Sequence, residues 1–122
     1  KTGTLTENKM KVTQLYGNDT ILPVSKVRKR ECPRLAQGSL LCNNSVLGKQ
    51  EIGDATELAL LHMGKELGHD KEQLAWQYPR VMEIPFESEK KYMATVHKDS
   101  GHETVYVKGA CDYILERCTY VQ

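Results

Sequence analysis

The sequence is poor in aromatic residues: its 122 positions hold one Trp, one Phe and six Tyr. It has no apolar run near the ~20 residues that span a bilayer, and no basic-then-apolar leader pattern at its N-terminus. The stretch is therefore expected to be soluble, with any membrane segment of a parent protein lying elsewhere. An excess of one charge is missing too. Seventeen Lys and Arg against sixteen Asp and Glu give a net charge of +1, so no global field attracts nucleic acid or an anionic membrane. Cys32, Cys42, Cys111 and Cys118 form no C-x-x-C pair, which reads as reduced packing thiols rather than a disulfide framework or a zinc site. There is no G-x-x-x-x-G-K-[ST] loop, no G-x-G-x-x-G and no H-E-x-x-H. His62, His69, His97 and His102 are scattered. Neither a histidine-based catalyst nor a metal site is expected.

What is present is a globular composition, 39% hydrophobic and 27% charged, sized for one domain with one modest core, expected to be monomeric. Residues 1–8 read as a hinge without hydrophobic period, and 9–122 as the domain proper. Lys9 to Tyr16 alternates weakly and is expected to be a strand, closed by Gly17-Asn18-Asp19. Ile21 to Glu31 holds the basic run Lys26 to Arg30 and reads as a solvated edge or loop. Pro33 suits the first turn of a helix that should run to Gly48, with Leu35, Leu40, Leu41 and Val46 on one side. Asp54-Ala55-Thr56-Glu57 fits a capping box in which Glu57 reaches back to the helix start. Leu58, Leu60, Leu61, Met63 and Leu67 follow as its apolar stripe, with Gly68 as the stop. A short helix after Asp70, with Leu74 and Trp76, should end before Pro79. The second half turns to strands at Val81 to Phe86, Tyr92 to His97 and Glu103 to Val107, with a hairpin at Asp99-Ser100-Gly101. Ala110 to Cys118 reads as a closing helix, packed through Tyr113, Ile114 and Leu115. The class expected is α+β: a twisted antiparallel sheet covered by the helix pair before Gly68 and the helix after Gly109.

Some of these residues carry chemistry of their own. Phe86 follows Pro85 at the end of an apolar run, where a ring can fill the core or stand at a pocket mouth. Lys108 precedes Gly109-Ala110, a strand end stripped of bulk where a flat ligand could approach beside an ammonium group. Lys91 adds a cation near Phe86, and Lys90 should face the other way if the segment is extended.

Four stretches taken in order are more specific: Lys1-Thr2-Gly3-Thr4-Leu5-Thr6, Gly53-Asp54-Ala55-Thr56-Glu57, Pro85-Phe86-Glu87-Ser88-Glu89-Lys90-Lys91-Tyr92-Met93, and Lys108-Gly109-Ala110. Together they resemble the P-type cation-transporting ATPases, most closely calcium pumps of the sarcoplasmic-reticulum and secretory-pathway kind. The resemblance implies the nucleotide-binding domain fold of that family and a cytoplasmic domain of an integral membrane protein. In the family the first stretch follows the phosphorylated aspartate and the other three line the ATP pocket. By that resemblance Glu57, Phe86, Lys91, Met93, Lys108, Gly109 and Ala110 would hold ATP, with Phe86 stacked on adenine and Glu57 accepting a hydrogen bond from its amine. The partners implied are the phosphorylation and actuator domains of the pump, with magnesium bridging the site in the parent enzyme. This stretch lacks the aspartate, so alone it should bind ATP without forming phosphoenzyme. Cys111 stands where many relatives have proline, and the arginine that relatives supply from a later strand is missing.

Two other readings compete. One is a regulatory module that binds a protein partner through the basic run and exposed strands. The other is a self-contained hydrolase with Asp54 and Glu57 as paired carboxylates, a spacing that suits a helix cap better.

Overall fold

The computed structural model describes residues 9–17, 19–48 and 51–119. The expected hinge at 1–8 lies outside the described residues. Among them the order is β1 (Gln14–Gly17), β2 (Thr20–Pro23), α1 (Pro33–Leu41), α2 (Ala55–Glu66), α3 (Lys71–Gln77), β3 (Arg80–Glu87), β4 (Tyr92–Asp99), β5 (His102–Gly109) and α4 (Cys111–Glu116). The fold is α+β, as expected, with β3, β4 and β5 in one antiparallel sheet in that order.

Turn chemistry sets the sheet register. Asp99 pairs with His102 across a two-residue turn, whose Ser100 and Gly101 have φ of 49° and 88°. Two positive φ values in succession match the right-handed twist of the flanking strands. At the other end of β4, Lys90 N–H and Lys91 N–H both donate to Glu87 O, at 3.0 and 2.8 Å. Residues 88–91 therefore form a turn, and the expected extended alternation of Lys90 and Lys91 does not occur. Lys90 instead pairs with Glu87 at 3.7 Å.

Two clusters make the core. Leu15, Val24, Ala36, Met63 and Leu67 form one; Leu40, Leu41, Leu61 and Leu74 form the other. Full burial of each such leucine stabilises by roughly 1.5–3 kcal/mol. The stripe read on α2 thus joins both clusters, with Leu58 and Leu60 only partly buried.

Several boundaries differ from expectation. The N-terminal strand is confined to Gln14–Gly17 and pairs with Thr20–Pro23, a strand not expected in a segment read as loop. α1 stops at Leu41, seven residues before Gly48. The side chain of Asn43 accepts from Ser45 N–H at 2.9 Å and donates to Ser39 O at 3.1 Å, an alternative to the helical ladder. Val46 then bridges Ile52 and is 53% exposed, so it does not share the buried side of α1. Trp76 does not pack either: it is 87% exposed, while Leu74 is buried. α4 ends at Glu116 and buries no residue, although Tyr113 stacks on Tyr92 with centroids 5.2 Å apart.

Alternate strand residues face opposite sides. Met93, Thr95 and His97 are buried, and α1 lies over that side: Cys42 Sγ is 3.9 Å from Met93 O. On the opposite face Met82, Val105 and Val107 are exposed. α1 thus lies over one face, while α4 reaches the other through Tyr113 on Tyr92 and leaves Met82, Val105 and Val107 uncovered among the described residues. Cys42 is buried and its thiol is pushed up by that burial, which fits a packing role; all four cysteines are free.

Candidate functional site

The expected site residues gather at one end of the sheet. Met93 pairs with Lys108, Tyr92 with Gly109, and Glu87, beside Phe86, with Tyr92. Gly109 is needed there because a Cβ would meet Lys91 O at 2.5 Å and Tyr92 Cβ at 2.8 Å. Ala110 N–H closes the same corner by donating to Lys91 O at 3.2 Å.

Glu57 comes to this corner from the first turn of α2. Asp54 caps the helix by accepting from Glu57 N–H at 2.9 Å, half of the expected box. The other half is absent, because the Glu57 carboxylate turns away from the helix start to stronger partners. Its Oε2 accepts from Lys108 Nζ at 2.7 Å and from Asn44 N–H at 3.2 Å. Its Oε1 accepts from Ser45 Oγ at 2.8 Å. Burial alone would push this carboxyl up, but Lys108, the Ser45 hydroxyl and the Asn44 N–H outweigh it and hold the carboxyl below its ordinary value. Glu57 is thus ionised and paired with a residue 51 positions away. It is not half of a carboxylate dyad with Asp54, which is engaged as a cap.

The other expected residues differ in accessibility. Phe86 is 59% exposed, which excludes the core role. Lys91 is exposed in its turn with φ 61°. Met93 is 4% exposed, so it supports the corner from below. A cleft of about 380 Å3 between α1, β5 and α4 includes Lys108 and Gly109 in its wall, with Leu35, Tyr106 and Ile114. Glu57, Phe86, Lys91 and Met93 do not line it.

Sequence reasoning missed the polar shell behind Glu57. Asn43 and Ser45 are 1% and 0% exposed. Gly53 has φ 138°, and a Cβ there would collide with Ser45 Oγ, so this glycine admits the serine to the carboxylate. Lys71 and Arg80 bind the backbone of the same segment. The only available signal was Asn43-Asn44-Ser45 itself, a polar triplet between two apolar helices. Deeper in the sheet, His97 Nδ1 lies 2.9 Å from Tyr78 O and its Nε2 2.9 Å from Thr95 Oγ1. Burial lowers its pKa, so the ring is neutral, donating from Nδ1 and accepting at Nε2.

Among the described residues no group of three or more His, Cys, Asp or Glu could hold a metal ion. Glu57 is a lone carboxylate with the Lys108 ammonium 2.7 Å away, so these residues do not fit a magnesium site. No described helix is long and apolar enough to cross a membrane.

Comparison with known proteins adds independent information. Residues 31–122 match the family model described as P-type ATPase, cytoplasmic domain N. The chain is 36% identical to calcium-transporting ATPase 1 of Lactococcus lactis over 129 residues, covering 99% of this chain. It is 38% identical to calcium-transporting ATPase 1 of Bacillus cereus, again over 99% of the chain. Cation-transporting ATPase pma1 of Synechocystis is 36% identical over 97% of it. The chain spans 14% of the length of the first two relatives and 16% of the third.

Proposed function

The chain belongs to the family of P-type ATPase cytoplasmic N domains, and from that premise we propose that it binds ATP by its base and presents the phosphates to a phosphorylated aspartate on a separate domain of a cation pump. The relatives named as calcium transporters favour a calcium-type pump. The observation that carries the reading is the Glu57–Lys108 contact at 2.7 Å, which joins the first turn of α2 to the strand end before Gly109-Ala110.

In this reading Phe86 stacks on adenine from its exposed position, a contact worth ~1–3 kcal/mol. Glu57 Oε1 has one hydrogen bond from Ser45 and a second lone pair for the adenine amine. Lys108 keeps that carboxylate ionised, and Lys91 stands at the rim to meet the phosphates. Gly109 lets Lys91 O and Tyr92 close against the strand end, and Ala110, with only a methyl group, would leave room for a flat ring. Magnesium, carried with the phosphates, would neutralise their charge in the parent enzyme; no group of this chain is assigned to it. The contribution of this domain to catalysis is positioning, since it offers no base to the γ-phosphate.

The test is a titration with ATP, ADP and AMP followed residue by residue in amide spectra. Shifts centred on Phe86, Lys108 and Ala110 are expected, with the three affinities within about tenfold, or ~1.4 kcal/mol. Silence there, or loss of AMP binding with ATP binding kept, would oppose recognition by the base. Shifts confined to Lys26 to Arg30 with a protein partner would instead support a regulatory module.

A further inference from the structure

The Glu57 carboxylate is aimed by a short loop that two distant cations hold in place. Lys71 Nζ, from the first turn of α3, donates to Asn43 O at 3.1 Å and to Ser45 O at 2.7 Å. Arg80, from the start of β3, donates through Nη2 to Leu41 O at 2.7 Å and Asn43 O at 3.3 Å, and through Nη1 to Asn44 Oδ1 at 2.7 Å. Asn44 Nδ2 continues to Glu83 Oε2 at 2.6 Å. The carbonyls involved are those left without partners at and beyond the end of α1, where cations are also favoured by the helix dipole. The loop so held supplies both protein donors, other than Lys108, that grip the Glu57 carboxylate: Asn44 N–H and Ser45 Oγ.

We infer that Lys71 and Arg80 are positioning residues of the nucleotide site, acting through the Asn43–Ser45 loop to set the orientation of Glu57 and hence the preference for adenine. This rests on the proposed ATP-binding reading. A helix-capping role alone leaves one fact unexplained: the two cations converge on a single three-residue loop from different elements, although each is disfavoured by the other. Burial lowers the Lys71 pKa, and the charges of Arg80 and Lys108 lower it further, against a partly offsetting pull from the Glu57 carboxylate. That cost is tolerated where the loop must not move. Held rigidly, Ser45 occupies one lone pair of Oε1 and leaves the other pointing in a constant direction. With the clamp released, the carboxylate still pairs with Lys108 but loses its defined plane.

The test uses Lys71→Met and Ser45→Ala in this chain, singly and together. Met keeps most of the Lys71 side-chain volume and Ala removes a single hydroxyl from Ser45, so both variants are expected to fold. The first readout is ATP against ITP, which carries an oxygen in place of the adenine amine. The wild type is expected to prefer ATP by about tenfold, or ~1.4 kcal/mol, and each variant to lose most of that preference. The second readout is the titration midpoint of Glu57, followed by its carboxyl carbon resonance. Lys71→Met should raise it in the wild-type background but far less in the Ser45→Ala background, because the lysine acts through the serine. Equal, additive shifts would mean a direct charge effect and overturn the inference, as would a retained ATP preference in both variants. If the wild type bound no nucleotide, the functional reading would fall, and the Glu57 double-mutant cycle alone would decide whether the loop is clamped.

Discussion

The two sides of the candidate site are built in opposite ways. Around Glu57 and Lys108 the polar atoms are enclosed and bonded to one another, and the carboxylate has three protein donors. Around Phe86 and Lys91 the side chains stand exposed on a strand end and its turn. One side is organised by the chain itself; the other, on the proposed reading, would gain its partners from the ligand. Substitutions on the enclosed side should therefore damage the fold and binding together, whereas those on the open side should damage binding alone.

The largest effect expected is from Glu57→Ala, which leaves Lys108 without its carboxylate and frees the donors of Asn44 and Ser45. Unpaired, half-buried polar groups of this kind cost about 2–4 kcal/mol in total. Chemical denaturation should show it as a lower midpoint with unchanged slope. A loss under about 0.5 kcal/mol, the range of ordinary surface changes, would mean that the corner is as loose as the rim, and the contrast would fail.

Phe86→Ala comes next. Its stability should stay within about 0.5 kcal/mol of the parent, since the ring is not in the core, while ATP affinity falls by ~1–3 kcal/mol. Calorimetric titration of the folded variant checks the second number and its melting curve the first. A variant that unfolds would move Phe86 to the enclosed side of the comparison.

The smallest effect is expected from pH, and it falls on the enclosed groups alone. His97 has a lowered pKa in the fold because burial disfavours its charged form. Stability from keeping it neutral is complete above the ordinary histidine value of ~6.5 and declines as pH falls below it. Glu57 is also lowered, so its contribution is complete above the ordinary carboxylate value of ~4.3 and is lost as pH falls further. Two successive losses of stability on acidification are expected, the first reduced by His97→Gln, with His69 supplying the remainder because burial lowers its pKa as well, and the second weakened by Glu57→Gln. Stability that stayed flat from pH 7 to pH 5 in the parent chain would exclude the first.

Much of this was legible locally. The Asp54 cap, the α2 stripe, the three strands of the sheet and the Ser100-Gly101 turn follow from side-chain period and turn chemistry within a few residues. The α1 end was misread because an apolar pattern continues to Val46, while the side chain of Asn43 already offers the backbone other bonds. The Thr20–Pro23 strand was hidden because four residues, half of them exposed, carry too little period to register. Trp76 was misread for a simpler reason: hydrophobicity favours burial of a residue but does not supply a surface to bury it against.

What the residues determined by themselves is the class of fold, the helix starts, the hairpin and the four short stretches that mark the family, because each depends on neighbours close in the chain. What only the tertiary structure decided is the direction of the Glu57 carboxylate. A capping box and an ion pair are equally compatible with Asp54-Ala55-Thr56-Glu57, and the choice belongs to Asn44, Ser45 and Lys108, with Lys71 and Arg80 behind them. Those residues are 12 to 51 positions from Glu57 or act through ones that are, and only the packing of α1, α2, α3 and the sheet brings their donors within 3.5 Å of one loop and one carboxylate. A hydrogen bond depends on ångström distances between groups, and sequence spacing carries no such distance once the chain has turned back on itself.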